Sequence, residues 1–193
     1  MIERSCYKLL IFQILICIIS FFLFKPLFYP LLLFLVFSIY FFRDPKREIK
    51  DHVVSPADGK IDYVSGNRME IFMSPFDCHV NRSPISGEVT NIKYIPGKIK
   101  PAFFKEKDAE RNEIFIKDPE GNIFKVVQIA GVFARRIVCF VRPGEKVNKG
   151  DKIGMIRFGS RVVLEIPKGY VFVKNLGEKV KAGETVAIKK EDA

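Results

Sequence analysis

A long apolar segment near the amino terminus, from Leu9 to Phe42, places the strongest constraint on how this chain can fold. Only Gln13, Lys25 and a few small polar side chains interrupt it. A helix that crosses a bilayer needs about 20 apolar residues, so a segment of this length favours a membrane location over a buried core helix. A cleaved signal peptide fits less well, because the apolar run is too long and no small-residue cleavage site follows it.

The dipeptide Lys25-Pro26 divides this segment into Leu9–Phe24 and Leu27–Phe42, since proline is tolerated at the start of a helix but not in its interior. Each half is slightly short for a span, which leaves two arrangements: a helical hairpin or one tilted span. Positive charge at both ends favours a hairpin in the cell membrane with both ends, and hence the following domain, on the cytoplasmic face. The basic residues concerned are Arg4, Lys8, Arg43, Lys46, Arg47 and Lys50.

The sequence pattern changes at residue 51, from a long apolar run to short β-type runs separated by glycines and prolines. We therefore divide the chain into a membrane-anchoring segment, residues 1–50, and a β-rich domain, residues 51–193. The runs predict several strands, and one helix outside the leader is expected near Ala102–Ala109. The predicted strands include Val89–Ile95, Glu113–Lys117 and Ile123–Ile129 around a turn at 118–122, and Ile137–Val141.

A ten-residue pattern occurs twice, as GEKVNKGDKI from Gly144 to Ile153 and as GEKVKAGETV from Gly177 to Val186. The shared glycines indicate matched turns, and the shared apolar positions indicate matched core residues. The pattern resembles that of lipoyl- and biotinyl-type barrel-sandwich domains, but neither copy has their Met-Lys-Met or Asp-Lys-Ala sequence with a modified lysine. We predict a mostly β fold: a compact antiparallel β-domain with barrel-sandwich (lipoyl-like) character, preceded by the hydrophobic helical segment.

The charge of the chain favours an anionic partner, because 32 lysines and arginines exceed 22 acidic residues and give a formal net charge of +10. No segment resembles a nucleic-acid-binding motif, so acidic phospholipid is the expected partner and nucleic acid is not. The cysteines show no Cys-x-x-Cys spacing, which argues against a zinc site or a disulfide framework. They are Cys6, Cys17, Cys78 and Cys139.

A Gly-Ser pair, Gly159-Ser160, lies between two apolar strand-like runs, Lys152–Phe158 and Val162–Ile166. Glycine permits backbone conformations that other residues avoid, so the Gly159 carbonyl can be approached closely and the Ser160 hydroxyl can attack it. That attack would give an ester, then a chain break, and then a pyruvoyl group when the serine nitrogen is lost. Taken alone, the pair is more simply explained as a tight turn, because both residues are common in turns.

Five blocks of sequence, in the same order, resemble the short-form phosphatidylserine decarboxylase proenzymes, and they extend from about Phe42 to about Pro167. The last block resembles the processing site of that family. The blocks are Phe42–Pro45, Ser55–Lys60, Phe76–Arg82, Ala130–Gly131 with Ala134–Val138, and Arg157–Arg161.

This resemblance implies autocatalytic cleavage between Gly159 and Ser160, giving a large chain, residues 1–159, and a small chain, residues 160–193. The two chains are expected to stay together, since their strands would share one sheet. The implied cofactor is a pyruvoyl group derived from Ser160, which serves as electron sink in place of pyridoxal phosphate, and no metal is implied.

The resemblance also implies an Asp–His–Ser group for self-cleavage, which falls on Asp58, His79 and Ser160. The chain has only two histidines, and His79 is the better base because His52 lies at the junction after the leader and is expected at the surface. His79 would deprotonate Ser160 and later return a proton to the substrate carbon, while Asp58 would orient and stabilise it. Without the resemblance, His79 is more simply explained as a strand histidine that is hydrogen-bonded to the backbone, and Asp58-Gly59 as a turn.

The sequence departs from the longer bacterial members of the family, which carry Leu-Gly-Ser-Thr at the cut and a second nearby histidine. Here Arg161 follows the serine, and Arg82 stands where that histidine would be. Arg135 and Arg136 are candidates for binding substrate phosphate or carboxylate, although neighbours on a strand face opposite ways and at most one would face a shared site. Asn81 and Arg82 are further candidates for substrate binding.

The function implied by the resemblance is pyruvoyl-dependent decarboxylation of phosphatidylserine to phosphatidylethanolamine in phospholipid biosynthesis, at the membrane surface. The alternative is a non-enzymatic membrane adaptor with a lipoyl-like β-domain. The leader and the repeat fit the adaptor equally well, but an adaptor does not explain Gly159-Ser160 together with Asp58 and His79. The sequence leaves open whether the lipid is diacyl or ether-linked and whether the chain forms a homo-oligomer.

Overall fold

A computed structural model of the chain describes residues 1–97, 109–131, 137–157 and 160–192. The chain divides into two compact units, Met1–Lys46 and Arg47–Ala193. The structure therefore places residues 47–50 with the β-domain, where Lys50 donates its backbone N–H to the Gly183 carbonyl at 2.9 Å.

The first unit is a helical hairpin made of α1, Tyr7–Leu23, and α2, Lys25–Phe41, after a single 3-10 turn at Arg4–Cys6. Its ends meet in an antiparallel bridge between Ile2 and Arg43. Pro26 lies in the first turn of α2, as the division of the apolar segment predicts.

The helices of this unit expose much of their apolar surface, including Phe22 (78% exposed) and Leu33 (72%). The helical stretch Arg4–Leu23 is long and apolar enough to cross a bilayer, whereas α2 is shorter. Such a helix near the amino terminus suggests membrane association.

The described residues of the second unit form fourteen strands, all paired antiparallel. They are β1 (Val53–Val54), β2 (Gly59–Ser65), β3 (Arg68–Met73), β4 (Val80–Arg82), β5 (Gly87–Ile95), β6 (Arg111–Lys117), β7 (Ile123–Ala130), β8 (Ile137–Cys139), β9 (Lys146–Val147), β10 (Lys152–Ile156), β11 (Ser160–Glu165), β12 (Tyr170–Phe172), β13 (Lys179–Val180) and β14 (Thr185–Lys189).

These strands form three sheets, whose strand orders are β13-β2-β3-β11-β7-β6-β5-β9, β4-β10-β8 and β1-β14-β12. One apolar core joins all three, with Ile71 and Val162 from the large sheet, Ile153 from the second and Val186 from the third. The predicted class, a mostly β antiparallel domain of barrel-sandwich character after a helical segment, is confirmed.

The repeated sequence pattern forms matched turns and matched core positions, as predicted. Gly144, Gly150, Gly177 and Gly183 have φ angles of 85°, 88°, 89° and 98°, a region that favours glycine. A side chain at Gly150 or Gly183 would also collide with Ile49, because an added Cβ would lie 2.5 or 2.9 Å from its Cδ1. The second turn of each copy therefore closes on the same isoleucine.

The chain on either side of the Gly-Ser pair belongs to two different sheets. β10 ends at Ile156 in the β4-β10-β8 sheet, and β11 begins at Ser160 in the large sheet. The segment between them therefore crosses between sheets and does not join hairpin neighbours. The helix predicted near Ala102–Ala109 falls, up to residue 108, outside the described residues.

Candidate active site

Ser160 is the first residue of β11, near the centre of the large sheet. Its backbone lies opposite Met73 of β3 on one side and Ala130 of β7 on the other. The side chain of Ser160 and the whole of Gly159 lie outside the described residues. Because both neighbours pair with β11 along all of Ser160–Glu165, the start of this strand is held from two sides.

His79 is completely buried and lies between β3 and β4. Its Nδ1 atom is 2.9 Å from the Asp77 carbonyl oxygen. A carbonyl can only accept, so in the neutral ring Nδ1 carries the hydrogen and Nε2 is the basic nitrogen. The His79 carbonyl accepts the N–H of Ile156 at 3.3 Å, which fixes His79 beside the last residue of β10.

Asp77 holds the turn that presents His79, and the sequence analysis did not single it out. Its Oδ2 atom accepts from the backbone N–H of Ser74 at 2.8 Å and from the Ser74 hydroxyl at 2.7 Å. The Ser-Pro-Phe-Asp order is a turn signal that could have identified this pair. The His79 ring is thus oriented by the backbone carbonyl of Asp77, and the turn that carries this carbonyl is held by the Asp77 side chain.

Asp58 is buried and its two carboxylate oxygens have different partners. Oδ2 lies 2.5 Å from Nη2 of Arg47, and Oδ1 accepts the backbone N–H of Ala182 at 2.9 Å. These contacts pair Asp58 with an arginine, whereas the Nδ1 position of His79 is taken by Asp77. Arg47 is therefore a second residue of this region that the sequence analysis did not assign.

The Arg47–Asp58 pair lies close to Cys78, the residue before His79. Burial raises the pKa of the Cys78 thiol, and a backbone hydrogen bond to Val80 opposes this effect. The charge of Asp58 also raises this pKa, and Arg47 lowers it. Asp58 and Arg47 are therefore close enough to Cys78 to affect its thiol in opposite directions.

Asn81, a predicted substrate-binding residue, is completely buried in a network of side-chain amides. Its Oδ1 accepts from Nε2 of Gln128 at 2.8 Å, and Oε1 of Gln128 accepts from Asn112 at 3.0 Å. Buried amides need such partners, and these link β4 to β7 and β6. Gly154 makes room for them, since a Cβ there would lie 2.5 Å from Nε2 of Gln128.

Arg82, a further predicted substrate-binding residue, follows Asn81 in β4. Arg82 donates to the carbonyl of Gly150 at 2.9 Å, so it supports a repeat turn. Arg135 and Arg136 are not among the described residues. His52 is 45% exposed, which confirms its predicted surface position. Within the described ranges, no group of three or more His, Cys, Asp or Glu side chains could hold a metal ion.

Comparison with known proteins gives consistent matches along this chain. The family described as Phosphatidylserine decarboxylase matches residues 34–188. A putative archaetidylserine decarboxylase proenzyme of Archaeoglobus fulgidus is 55% identical over 99% of this chain and 97% of its own length. A protein of the same name from Methanococcoides burtonii is 48% identical over 86% and 81%. A phosphatidylserine decarboxylase proenzyme of Streptomyces avermitilis is 46% identical over 76% and 71%.

Proposed function

Because the chain belongs to the phosphatidylserine decarboxylase family, we propose that it decarboxylates a serine phospholipid with a pyruvoyl group made from its own Ser160. Membership makes the chain a decarboxylase proenzyme of phospholipid metabolism. The proposal adds the cofactor, the cut and the residues responsible.

The proposed substrate is a lipid with a serine head group, and the product is the corresponding lipid with an ethanolamine head group. Relatives at 55% and 48% identity are named for archaetidylserine, and the relative at 46% is named for phosphatidylserine. The serine head group is common to these names. Activity is therefore best tested on both lipids side by side.

Self-cleavage starts when the Ser160 hydroxyl attacks the Gly159 carbonyl and gives its proton to Nε2 of His79. The C–N bond between Gly159 and Ser160 breaks as this proton passes to the serine nitrogen, and an ester joins the two residues through the serine oxygen. Elimination then removes the α-proton of residue 160 together with the ester oxygen, which frees residues 1–159 as a carboxylate and leaves a Cα–Cβ double bond in residue 160. Water then displaces the nitrogen of residue 160 as ammonia, which leaves a pyruvoyl group at the start of residues 160–193.

The observation that carries this proposal is the placement of His79 in the strand framework. Met73 lies opposite Ser160, and a short turn leads from Met73 to His79, whose carbonyl is bonded to the end of β10. The segment that carries His79 thus begins opposite Ser160 and is hydrogen-bonded to Ile156, the last residue of β10. The buried ring of His79, with Nδ1 held by Asp77, supports its role as proton acceptor.

In decarboxylation, a pyruvoyl ketone supplies the electron sink for the carbanion that forms as carbon dioxide leaves. His79 is proposed to return the proton to the substrate carbon. Arg135 and Arg136 remain the proposed partners of the lipid phosphate or carboxylate. Asn81 and Arg82 were predicted to bind substrate. Because they hydrogen-bond to Gln128 and to the Gly150 carbonyl, the role proposed for them is to support the site.

The strand pairing supports the proposal that the cleaved chains stay together. All four small-chain strands pair with strands of the large chain or with each other: β11 with β3 and β7, β13 with β2, and β14 with β1 and β12. We also propose that the hairpin anchors the enzyme in the cell membrane with its catalytic domain on the cytoplasmic face.

The test is intact mass spectrometry of the purified full-length protein under denaturing conditions, alongside a carbon dioxide release assay on serine lipids in vesicles. We expect two chains divided after Gly159, with the smaller chain lighter by one ammonia than a serine-ended fragment. Ser160→Ala should stay uncut and inactive while keeping its fold. A single full-length mass in the wild-type protein would favour the adaptor function instead.

A further inference from the structure

Cleavage after Gly159 turns residue 160 into a chain terminus. This inference rests on the proposed function, because it concerns the terminus that cleavage makes. Terminal residues are mobile unless something ties them down, and the reacting group would sit on this terminus. A pyruvoyl group that is to react with a lipid must be held in one place. The terminus therefore needs an anchor that does not depend on the broken bond.

Arg161, the next residue, has such an anchor. Its Nη1 donates to the carboxylate of Glu70 on β3, and its Nη2 donates to the carboxylate of Asp62 on β2. The two contacts tie β11 to both of the strands that follow it toward one edge of the large sheet. The planar guanidinium can make both bonds at once, which fixes its position as well as its charge.

The anchor is partly withdrawn from water. The side chains of Arg161, Glu70 and Asp62 are 22%, 10% and 29% exposed. Burial raises the pKa of Asp62, and the Arg161 charge opposes that shift. Ion pairs in such positions are less screened by salt than fully exposed pairs.

Further charges connect this anchor to the other end of β11. Glu70 accepts from Arg68 at 2.9 Å, and Arg68 donates to Glu165 at 3.0 Å. Lys125 of β7 lies 3.5 Å from Glu165. Both ends of the strand are thereby joined to neighbouring strands of the large chain through side chains as well as backbone.

We propose that Arg161 is a positioning residue, held by Glu70 and Asp62, that keeps the new amino terminus at residue 160 in place for decarboxylation. Val162 and Leu164 face the core, whereas Arg161 lies on the opposite face of the strand. In this role it acts through the backbone of β11. Its contribution begins once the covalent link to residue 159 is lost.

The test compares full-length Arg161→Met and Arg161→Lys with Arg111→Met as a matched control. Arg111 has similar side-chain exposure, 27%, and pairs with Glu113 on its own strand, β6, which β7 separates from β11. It lies opposite Ile129, the same β7 residue that Arg161 lies opposite, but Glu113 does not belong to β11, β3 or β2. For each variant we would measure chain masses, melting temperature, kcat and KM on serine lipid in vesicles, and hydrogen exchange of the β11 amides.

We expect Arg161→Met to be cleaved and to melt close to Arg111→Met, yet to lose about tenfold or more in kcat with little change in KM, since small misplacement of a reacting group is costly. Its β11 amides should exchange faster near the terminus. Arg161→Lys should recover part of kcat, because it keeps the charge but loses the fork.

Equal kcat in Arg161→Met and Arg111→Met would overturn the inference. If Arg161→Met does not fold, the double variant Glu70→Gln, Asp62→Asn takes its place, because it leaves Arg161 in the chain but weakens its anchor. A kcat of this double variant equal to that of Arg111→Met would likewise overturn the inference. A wild-type protein that is never cut would overturn the proposed function and this inference together. A cut, active wild type with unaffected variants would overturn this inference alone.

Discussion

The β-domain consists of two similar halves, each built around a Ser-Pro turn that contacts one copy of the repeat. The first half contains Ser55-Pro56 and the repeat copy at 177–186, and the second half contains Ser83-Pro84 and the copy at 144–153. Each serine exchanges backbone bonds with one copy of the repeat: Gly183 donates to Ser55 at 3.1 Å, and Gly150 donates to Ser83 at 2.9 Å. The two serine hydroxyls also match, since each donates to the backbone carbonyl two residues ahead, at 2.7 and 2.6 Å.

The halves also exchange equivalent bonds with each other. The backbone N–H of Val54 donates to Pro84 at 3.0 Å, and that of Arg82 donates to Pro56 at 2.9 Å. The large sheet follows the same symmetry, because its order places β13-β2-β3-β11 beside β7-β6-β5-β9. Much of the barrel-sandwich framework is therefore one design used twice.

One difference between the halves involves Asp58, a residue of the candidate active site. Asp58 and Ser86 occupy equivalent positions, and each accepts a backbone N–H from a repeat turn at 2.9 Å. A serine hydroxyl is thus sufficient for the structural bond. Only Asp58 has a second oxygen, which pairs with Arg47. The carboxylate exceeds what the framework requires, and this points to a functional role.

His79 has no equivalent in the first half either. It lies three residues before Arg82, and the residue three before Val54 is the exposed Asp51. The position that holds a buried histidine directly before β4 therefore holds a surface carboxylate, two residues before β1, in the other half. Each position at which the halves differ can be tested by substituting the residue in one half and, as a control, the residue at the equivalent position in the other half.

The largest effect is expected from His79→Gln, with Asp51→Asn as the change at the equivalent position. Loss of the proton acceptor should slow self-cleavage by about 10²-fold or more, in the range of general acid–base catalysis. The rate is measured as the appearance of the 160–193 chain by mass spectrometry after synthesis in the presence of membranes. Normal cleavage in His79→Gln would remove His79 from the mechanism, and Asp51→Asn should cleave normally.

The next effect concerns Asp58→Ser, which copies Ser86 into the first half. The hydroxyl can still accept the Ala182 N–H, but the second oxygen and its charge are lost. Because Asp58 pairs with Arg47 and not with His79, cleavage should slow by less than the about 10²-fold expected for loss of the proton acceptor. The matched change Ser86→Asp should leave cleavage unaffected. An Asp58→Ser protein that matures at the wild-type rate would show that the Asp58 carboxylate is not needed for cleavage.

Arg47→Met should chiefly lower stability, because it leaves the buried Asp58 carboxylate without its cation. Breaking a buried ion pair costs about 3 kcal/mol, which chemical denaturation of the domain in detergent would detect. Lys50→Met is the control, since the Lys50–Glu48 pair is exposed and should leave the unfolding midpoint unchanged. Equal stability in the two variants would mean that the Arg47–Asp58 contact is not formed in solution.

The smallest effect is expected from Gly154→Ala, which copies Ala187 of the first half into the second. A Cβ at residue 154 would lie 2.5 Å from Nε2 of Gln128 and 2.7 Å from the Val138 carbonyl, so overpacking should cost about 1–3 kcal/mol. The reverse change, Ala187→Gly, should cost only about 0.5–1 kcal/mol through chain entropy. Similar midpoints for both variants would argue against close packing of the buried amides.

The elements that the sequence predicted well are those whose signals are local. Pro26 divides the helical leader, the turn at 118–122 joins two alternating runs, and the repeat glycines adopt the positive φ angles that their spacing indicates. The predicted strand Ile137–Val141 was too long, because pairing with β10 ends at Cys139. Strand ends depend on the partner strand and are not written in the strand itself.

The sequence by itself determined the helical leader and the β-domain with its repeated turns, and its resemblance to a known family supplied the candidates Asp58, His79 and Ser160. Only the tertiary structure decided that Asp58 faces Arg47 and that Arg161 is anchored by two carboxylates. The physical reason is that a turn depends on the torsion preferences of a few neighbouring residues. A charged side chain in a sheet must instead find its partner wherever the fold and the sheet register bring one within hydrogen-bond distance.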